Sequence, residues 1–406
     1  MIIIVLKGFI KTLSIKSKFI SLLPYNSKLI MYKKDFEEIR PFYDSEINAV
    51  LKKLINNPFF QQVLNGYFPK EKHQEIIKQL NNTNSAFEFQ RTFMHQIIDN
   101  VITTTSSGIT TSGIEKISKE KQYLFISNHR DIILDSAILQ KVLFENNIPT
   151  TEIAFGSNLM DVPLIAELGR ANKMFIVKRG GNLREILHNS NILSAYIRYA
   201  IIEKKTSVWL AQRNGRTKDG NDKTEIALLK MLNLSGKKSI QENISELNIV
   251  PVTISYEFET CDTEKAKEVY NSKDSKYEKK IGEDTSSVIK GITNYKGQIH
   301  LSFGNPVSLK NINTFSKDSN ADFLKDLGQY IDNEITTNYK LHTNNYISYD
   351  LINNSNKFFS NYSEIEKTKF INYKNSAIGD SSEDLNKIFL EIYANPILNK
   401  LNLKNN

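Results

Sequence analysis

The feature that most constrains this sequence is an alternation of short apolar runs and helix-like segments between residues 123 and 303. The apolar runs are rich in β-branched and aromatic residues, as buried strands are, and segments with apolar residues at three- and four-residue spacing separate them. The predicted strands are 123–126, 151–155, 174–177, 207–211, 249–256 and 298–303. This alternation predicts an α/β fold with a mostly parallel sheet flanked by helices.

Helices are predicted both between the strands of this alternation and on either side of it. Within it we expect helices over 132–145, 162–168, 183–204 and 225–232, with Gly169 ending the second of them. The Lys- and Glu-rich stretch 264–284 is expected to form an exposed helix or excursion. An N-terminal helical region precedes the alternation, and a helical C-terminal tail follows it, with an amphipathic helix over 323–335 and then a polar end.

These patterns divide the chain into four expected parts. Residues 1–30 form a basic apolar segment, 31–115 a helical N-terminal region, 116–310 the α/β domain, and 311–406 a helical and polar C-terminal extension. The boundary between the second and third parts is expected in the small-residue stretch 103–113, TTTSSGITTSG, which is predicted to be a loop.

The first thirty residues allow two interpretations. An apolar run over 1–6 is followed by lysines at 7, 11, 16 and 18, so no stretch approaches the roughly 20 apolar residues of a spanning helix. The positive charge follows the apolar run, whereas in a signal peptide it comes first. The segment is either a basic amphipathic element lying on a membrane or a stretch upstream of the true start. We favour the second, because Met31 opens a more ordinary domain beginning.

Charge and composition narrow the classes of partner. The net charge of +8 and the pI near 9.1 favour anionic partners such as a phospholipid surface, nucleic acid or phosphorylated substrates. No platform of interleaved aromatic and basic residues is evident, so nucleic acid is not expected. The single cysteine, Cys261, excludes an internal disulfide framework and a cysteine-based zinc site. Six histidines without metal-ligand spacing give no reason to expect a metal.

A polar corner follows the first strand of the alternation. It reads Ser-Asn-His-Arg-Asp over 127–131, and a helix pattern containing Asp135 comes next. A histidine at the carboxyl end of a strand, with a carboxylate nearby to fix its tautomer and stabilise its protonated form, is a common general base. His129 is therefore the candidate base, and either Asp131 or Asp135 its support. The chain lacks both the asparagine of a kinase-type HRD segment, replaced by Ser136, and a serine-hydrolase GxSxG elbow.

Cations follow two further predicted strands. Lys178 and Arg179 come directly after the 174–177 strand, and the loop after 207–211 contains Arg213, Gly215 and Arg216. The carboxyl ends of parallel strands meet at one edge of a sheet, where ligands of α/β proteins bind. Arginines beside a glycine that permits close backbone approach suit a phosphate or another oxyanion.

In this order and spacing, four segments resemble the glycerophospholipid acyltransferase family, the glycerol-3-phosphate and 1-acylglycerol-3-phosphate acyltransferases. The family's NHx₄D block is approximated by Asn128-His129 with Asp135, and its apolar strand ending in arginine matches 175–179. Its EGxR block, followed by Ser or Thr, matches loosely at 214–217, NGRT, and its apolar strand with proline matches 250–252, VPV. The stretch 298–307, QIHLSFGNPV, is similar to the strand and FGxP ending common after the fourth block. The resemblance covers residues 122–309.

Two departures from the family pattern concern the candidate site. The family aspartate lies five residues after the histidine, where this chain has Leu134; Asp135 lies at six and Asp131 at two. We favour Asp135, which keeps the apolar-Asp pair of the family after a one-residue insertion, and Asp131 is the alternative. The third block also lacks its glutamate, with Gln212 or Asn214 standing nearby.

The resemblance implies transfer of an acyl chain from a thioester, acyl-CoA or acyl carrier protein, to a hydroxyl of glycerol 3-phosphate or lysophosphatidate in phospholipid synthesis. His129 would be the general base, supported by Asp135 or Asp131. No cofactor beyond the acyl co-substrate and no metal is implied. The residues that would bind substrate are Asn128, Arg130, Lys178, Arg179, Arg213, Gly215, Arg216 and Thr217.

The resemblance also implies where such a protein works. Family members act at membranes, so we expect a peripheral protein on an anionic surface at the cytoplasmic side of a membrane. The alternative hypothesis is a basic, non-catalytic membrane- or lipid-binding relative, in which the missing glutamate and the displaced aspartate mark a decayed active site.

Overall fold

The computed structural model describes residues 34–159, 163–273, 277, 282–379 and 381–405. These residues contain a seven-stranded sheet with the order β1-β7-β6-β2-β5-β3-β4. Its strands are β1 Ile109–Ser112, β2 Leu124–Ser127, β3 Glu152–Gly156, β4 Met174–Val177, β5 Val208–Ala211, β6 Ile249–Tyr256 and β7 Ile299–Phe303.

The five strands from β6 to β4 all run in the same direction, and β7 pairs antiparallel with β6. Strand β1 pairs parallel with β7 at the other edge. β2 lies in the middle, with Ser127 at its last position beside Ala211 of β5 and Val252 of β6. The predicted mostly parallel α/β sheet is confirmed, and the carboxyl ends of β2, β3, β4 and β5 meet at one edge.

Helices cover both faces of the sheet. From residue 44 on, the helices of six or more residues in the first half of the chain are α1 Asp44–Ile55, α2 Pro58–Tyr67, α3 His73–Asn81, α4 His95–Thr105, α5 Leu134–Glu145, α6 Pro163–Ala171 and α7 Leu183–Ile202. A short helix, Ala86–Phe89, and a π-helical turn, Gln90–Met94, precede α4. Those in the second half are α8 Ile226–Asn233, α9 Ile240–Ser245, α10 Asp262–Asn271, α11 Glu283–Thr293, α12 Leu309–Thr314, α13 Asn320–Asn338, α14 Thr343–Asn353, α15 Glu364–Ile378 and α16 Glu383–Asn405.

The strands are apolar because both faces of the sheet are covered. All residues of β2 and of β6 are buried, which is why these strands read as near-continuous apolar runs in the sequence. One face packs with α1 to α5 in a single core, and the other packs with α7, α8, α9 and α13 in a second core. The N-terminal helices thus share a core with the sheet.

Two local predictions were wrong. The stretch 103–113 is not a loop, because α4 continues to Thr105 and β1 occupies Ile109–Ser112. Strand β1 forms because it pairs with β7, and local composition does not reveal a pairing between segments so far apart in the chain. Gly169 does not end a helix, since α6 continues through it to Ala171. The predicted boundary at residue 116 stays a prediction.

The C-terminal tail is more ordered than its polar composition indicates. Helices α14, α15 and α16 enclose a core of their own, which includes Ile347, Phe370, Phe389 and Tyr393. In the described part of the 264–284 stretch, the predicted helix is present as α10, which continues to Asn271 and is largely exposed at its end, but Lys265 and Ala266 are buried. Asn and Lys residues dilute the apolar stripe of these helices, and tertiary packing overrides that weak local signal.

Some sequence predictions lie outside the described residues. These are the interpretations of residues 1–30, the start of a helix at residue 162, and most of 274–281. Within the described part of the chain, no helix combines the length and the apolarity needed to cross a bilayer.

The C-terminal helices are joined to α10 by a buried carboxylate. The hydroxyls of Tyr393 and Tyr373 donate to Asp262 Oδ2 at 2.5 and 2.7 Å. Burial nevertheless raises the pKa of Asp262 to about 6, although these hydrogen bonds act in the opposite direction. The native state therefore binds a proton here more tightly than the unfolded chain does.

We expect the free energy of unfolding of the wild-type protein, relative to that of Asp262→Asn, to fall as the pH rises from about 4 to about 6. The folded-state pKa lies above the unfolded value, so in this window the native state holds the proton that the unfolded state has lost, and raising the pH removes that advantage. The change is at most about 3 kcal/mol. Urea denaturation of both proteins across this range measures it, and a difference that is constant or rises with pH would contradict the assignment.

Candidate active site

The candidate site begins where β2 ends. His129 is the second residue after Ser127, and its Nδ1 lies 3.0 Å from Oδ2 of Asp135, in the first turn of α5. His129 is 9% exposed and Asp135 2%. Because Asp135 engages Nδ1, the second ring nitrogen, Nε2, is the one available to a substrate. The structure thus brings together the predicted base and one of the two carboxylates proposed to support it.

Asp135 is fixed by three further donors. Its Oδ2 also accepts the backbone N–H groups of Arg130 and Asp131 at 2.7 and 2.9 Å, and its Oδ1 accepts the hydroxyl of Tyr256 at 2.9 Å. Burial raises the pKa of Asp135, and the hydrogen bond to His129 acts against that rise. The carboxylate therefore has one orientation, determined by β2, α5 and the end of β6.

Asp131 lies in a different environment. Its Oδ1 accepts the backbone N–H groups of Ile133 and Leu134 at 2.9 and 2.8 Å, at the start of α5. Its Oδ2 has no hydrogen-bond partner among the described residues and lies against Gly291 of α11, where an added Cβ would approach it to 2.3 Å. This geometry is that of a helix-capping carboxylate, and it favours Asp135 over Asp131 as the partner of His129.

The side chains of Asn128 and Arg130 point into the protein. The amide of Asn128 pairs with the backbone N–H and C=O of Ile254 on β6, at 2.8 and 2.9 Å. The guanidinium of Arg130, 1% exposed, bonds to Asp222 at 2.6 Å and to Glu259 at 3.4 Å. Burial alone would lower the pKa of Arg130, but Asp222 above all holds it well above its ordinary value. These positions favour a structural role over the predicted contact with substrate.

Thr217 connects the loop after β5 to the same corner. Its backbone N–H donates to the carbonyl of His129 at 2.7 Å, and its hydroxyl donates to Asp222 at 3.0 Å. Thr217 is 1% exposed, so it does not line the surface that a substrate would reach. Its two hydrogen bonds instead hold the backbone of His129 and the side chain of Asp222 in position.

His129 opens into a cleft of about 400 Å³ at the carboxyl edge of the sheet. Arg213 and Arg216, both predicted, line this cleft. Arg216 donates to Ser287 at 3.1 Å through Nη2, whereas its Nη1 and the Nε of Arg213 have no hydrogen-bond partner among the described residues. Buried guanidinium N–H groups without partners carry a large desolvation cost, which an anion in the cleft would offset.

Arg179 and Lys178 occupy the opposite wall of the cleft, after β4. An added Cβ at Gly156, the last residue of β3, would lie 2.7 Å from the Nε of Arg179, so glycine leaves room for this guanidinium across the strand end. Lys178 is exposed and pairs with Glu38 at 2.5 Å. Of the predicted cations, Arg179 is therefore placed towards the cleft, while Lys178 is partly engaged by the N-terminal region.

The cleft also has an apolar part. It extends from the ends of β4 and β5 along α7 and α8, and the aliphatic residues that line it are Ile176, Ile186, Ile192, Leu193, Leu210 and Leu228. A polar end with His129 and guanidinium groups, continuous with an aliphatic groove, suits a ligand with an anionic head and a hydrocarbon chain.

Gln212 and Asn214 stand near the position of the glutamate that the third block lacks, and the structure places them in different environments. Gln212 is fully buried and its backbone N–H donates to the carbonyl of Ser127 at 2.8 Å, whereas Asn214 is exposed and lines the cleft. Gly215 has φ +80°, a left-handed conformation that glycine adopts without penalty. Glu225, which lines the cleft as well, is the carboxylate on this side that sequence reasoning missed.

Two further residues of the corner, Tyr256 and Asp222, were not identified from the sequence. Tyr256 ends β6, and its contact with Asp135 follows only from the pairing of β6 with β2. Asp222 lies in the basic loop after β5 and joins Asn128, Arg130 and Thr217. The basic loop contains two carboxylates, Asp219 and Asp222, and sequence alone does not distinguish them.

Among the described residues, one group offers several metal-ligand atoms within 4.8 Å of one another: His95, Asp99 and Glu145. The ammonium of Lys141 donates to both carboxylates, so their charges are already paired with a cation. None of these residues lines the cleft. We interpret the group as an ion-pair cluster between α4 and α5, separate from the candidate active site.

The chain is similar in sequence to known acyltransferases. Residues 108–256 match the family model described as Acyltransferase. The chain is 24% identical over 212 residues to dihydroxyacetone phosphate acyltransferase of Bos taurus, covering 50% of this chain and 29% of that protein. It is 24% identical over 280 residues to the Mus musculus protein of the same name, covering 66% and 38%. The chain thus spans well under half the length of these curated relatives.

A solved structure is also similar: the crystal structure of the 1-acyl-sn-glycerophosphate (LPA) acyltransferase PlsC from Thermotoga maritima. The identity is 12%, the TM-score 0.37, and the match covers 73% of this chain and 96% of that one. The family model and the curated relatives support the resemblance to the glycerophospholipid acyltransferase family found in the sequence.

The contact between Asp131 and Gly291 gives a test of the corner. We expect Gly291→Ala to lower the free energy of unfolding by about 1–3 kcal/mol, because the new methyl group displaces a buried carboxylate from the start of α5. Asp131→Ala alone should cost about 1 kcal/mol as a lost cap. In the double variant the methyl group has no carboxylate to displace, so urea denaturation of the four proteins should give non-additive costs. Additive costs would contradict this position for Asp131.

Proposed function

We propose that the chain is an O-acyltransferase that moves a fatty acyl group from an acyl thioester to a hydroxyl of a phosphate-bearing glycerolipid precursor. The observation that supports this most directly is the His129–Asp135 pair at the mouth of a cleft with two incompletely bonded arginines. Glycerol 3-phosphate and lysophosphatidate are the acceptors considered from the sequence, and dihydroxyacetone phosphate joins them from the names of the relatives.

In this proposal His129 acts as the general base. Its Nε2 takes the proton of the acceptor hydroxyl as the oxygen attacks the thioester carbonyl, and Asp135 holds the Nδ1–H and stabilises the imidazolium that forms. Collapse of the tetrahedral intermediate forms the ester and breaks the C–S bond. The thiolate leaves with the proton that His129 returns, so His129 is neutral again after each turnover.

The arginines hold the phosphate of the acceptor. Arg216 has Nη1 and Arg213 has Nε available, and Arg179 faces them from the end of β4. Three guanidinium groups around one anion would fix the acceptor so that its hydroxyl meets His129, and such positioning contributes to rate as well as affinity. The glutamate missing from the third block is not required for these contacts.

The aliphatic part of the cleft accommodates the acyl chain. Burial of a hydrocarbon contributes about 0.8 kcal/mol per methylene, so the groove along α7 and α8 would supply much of the affinity for a long-chain thioester or lysolipid. We propose that acyl-CoA or acyl carrier protein is the donor, without a further cofactor or metal. We also propose peripheral association with an anionic membrane surface, consistent with the net charge of +8.

The first test is acyl transfer by the purified protein. We expect His129→Ala and Asp135→Asn to lower the rate by about 10²–10⁴-fold, because each removes the general base or its support. Asp131→Asn should keep most of the activity, since this side chain bonds to the start of α5 and an amide can still accept there. An acyl-CoA and an acyl carrier protein donor, each with the three acceptors, would identify the substrates.

Asp131→Asn is the matched control, because it changes a buried carboxylate of the same corner. If folded wild-type protein and His129→Ala were equally inactive with every donor and acceptor, the protein would be a non-catalytic lipid-binding relative. Loss of activity in Asp131→Asn with retention in Asp135→Asn would reverse the assignment of the supporting carboxylate.

The second test concerns the phosphate. We expect Arg213→Gln and Arg216→Gln each to raise the KM for the acceptor by about 10–100-fold, because each removes a charge-assisted hydrogen bond. Inhibition by inorganic phosphate should weaken in parallel. Arg91→Gln changes an exposed arginine that does not line the cleft and should leave both values unchanged. Unaltered phosphate inhibition in the cleft variants would refute the assignment.

A further inference from the structure

The first two turns of α7 project from the body of the protein. Residues 181–188 are all exposed, whereas the later part of the same helix, from Ile192 on, packs in the core with the sheet. The projecting end is a regular helix start. The side-chain oxygen of Asn182 accepts hydrogen bonds from the backbone N–H groups of Arg184 and Glu185. The carboxylate of Glu185 in turn accepts a hydrogen bond from the backbone N–H of Asn182. This end of α7 is therefore ordered without a core to pack against.

An apolar face lies on this projecting end. Leu183, Ile186 and Leu187 are 86%, 46% and 57% exposed, and their i, i+3, i+4 spacing places them side by side. Single exposed leucines are ordinary, but three adjacent large aliphatic residues on a protruding helix end form a surface that water solvates poorly. We call these three residues the α7 tip.

Cations surround the α7 tip. Lys178 and Arg179 precede it along the chain and Arg184 lies between its residues, whereas the stretch 178–188 contains one carboxylate, Glu185. That carboxylate is engaged in the helix cap. Beyond this stretch, Glu38 pairs with Lys178, and Asp284 lies near Arg179. An aliphatic centre with a cationic margin is complementary to an anionic lipid surface, where the aliphatic side chains enter the acyl region and the cations meet phosphate groups.

The α7 tip is continuous with the candidate active site. Ile186 belongs to the tip and also lines the cleft, followed along α7 by Asn189 and Ser190. A surface seated on the tip would therefore lie at the mouth of the aliphatic groove. A lipid acceptor would then enter the cleft from the membrane at the aliphatic groove.

We propose that the α7 tip docks on the surface of an anionic bilayer and directs the cleft towards it. This rests on the proposed function in one respect, since it explains how a lipid substrate reaches His129. It goes further by naming the surface that touches the membrane. Residues 1–30, an acidic carrier protein and other faces of the molecule are the alternatives that the test has to distinguish.

The test places an environment-sensitive bimane label on the full-length chain at Leu187→Cys. Ile365→Cys, at a residue 69% exposed on α15, is the matched control. The native Cys261 is 2% exposed, and burial raises the pKa of its thiol, so wild-type protein reports the background labelling. The probes are phosphatidylcholine vesicles with and without about 30% phosphatidylserine, and an acyl carrier protein.

The proposal expects a blue shift of the label at 187 with anionic vesicles, a weaker one with neutral vesicles, and no shift at 365. Vesicle binding without a shift at 187 would assign docking to another part of the chain and overturn the proposal. A shift at 187 with the carrier protein and none with vesicles would overturn it in favour of a protein partner.

A second variant separates this proposal from the proposed function. Leu183→Ser with Leu187→Ser alters two residues that do not line the cleft. We expect it to lower transfer to an acceptor in anionic vesicles by about tenfold or more, with transfer between a short-chain acyl-CoA and a water-soluble acceptor unchanged. Leu309→Ser, on exposed α12, should change neither. Equal vesicle-dependent activity in the wild type and the double variant would refute docking, whereas a wild type inactive with every donor and every acceptor, soluble or in vesicles, would refute the proposed function.

Discussion

The buried carboxylate of Asp135 is the contact on which the candidate site depends. It accepts hydrogen bonds from the ring of His129, from two backbone N–H groups of the corner, and from the hydroxyl of Tyr256. An ionised carboxylate with 2% exposure would be costly without partners, and four donors offset that cost. Because these donors belong to β6 and to the loop after β2, and Asp135 itself belongs to α5, the orientation of His129 is determined by the packing of all three.

A second layer of buried charge lies beneath this corner. Arg130 pairs with Asp222 and Glu259, and Lys265 pairs with Glu259 and donates to the carbonyl of Arg130 at 2.7 Å. Such a network contributes little net stability, because desolvation consumes most of the Coulombic gain, but removing one member would leave another charge unpaired. Its consequence is geometric: the loop after β5, the start of α10 and the residue next to His129 have one mutual arrangement.

The C-terminal helices reach the site through this layer. The hydroxyl of Tyr393, on α16, accepts the N–H of Glu259, and Asn395 donates to the carbonyl of Asp219 at 2.6 Å. Gly220 lies so close to α16 that an added Cβ would approach the carbonyl of Ile392 to 2.3 Å. The C-terminal helices therefore support the loop that contributes Arg213 and Arg216.

The sequence was sufficient for the parts of this arrangement that depend on strand order. Strands predicted to be parallel bring His129, Arg179, Arg213 and Arg216 to one edge, since residues just after neighbouring parallel strands necessarily meet. It was insufficient for β1, which exists only through its pairing with β7, and for Tyr256, whose contact with Asp135 requires the β2–β6 register. Arg130 shows a different difficulty. A cation beside a candidate base is as compatible with a ligand as with a buried ion pair, and only packing decides between them.

The displaced aspartate is explained by how α5 starts. The family spacing places the aspartate five residues after the histidine, and here Asp135 lies at six. The corner accommodates the additional residue before the helix: Asp131 accepts the N–H groups of Ile133 and Leu134, so the chain makes one more turn residue and α5 begins at Leu134. Asp135 then occupies the first helical turn, and its carboxylate reaches back to Nδ1 of His129. The six-residue spacing thus permits the contact, because Asp131 stabilises the turn before α5.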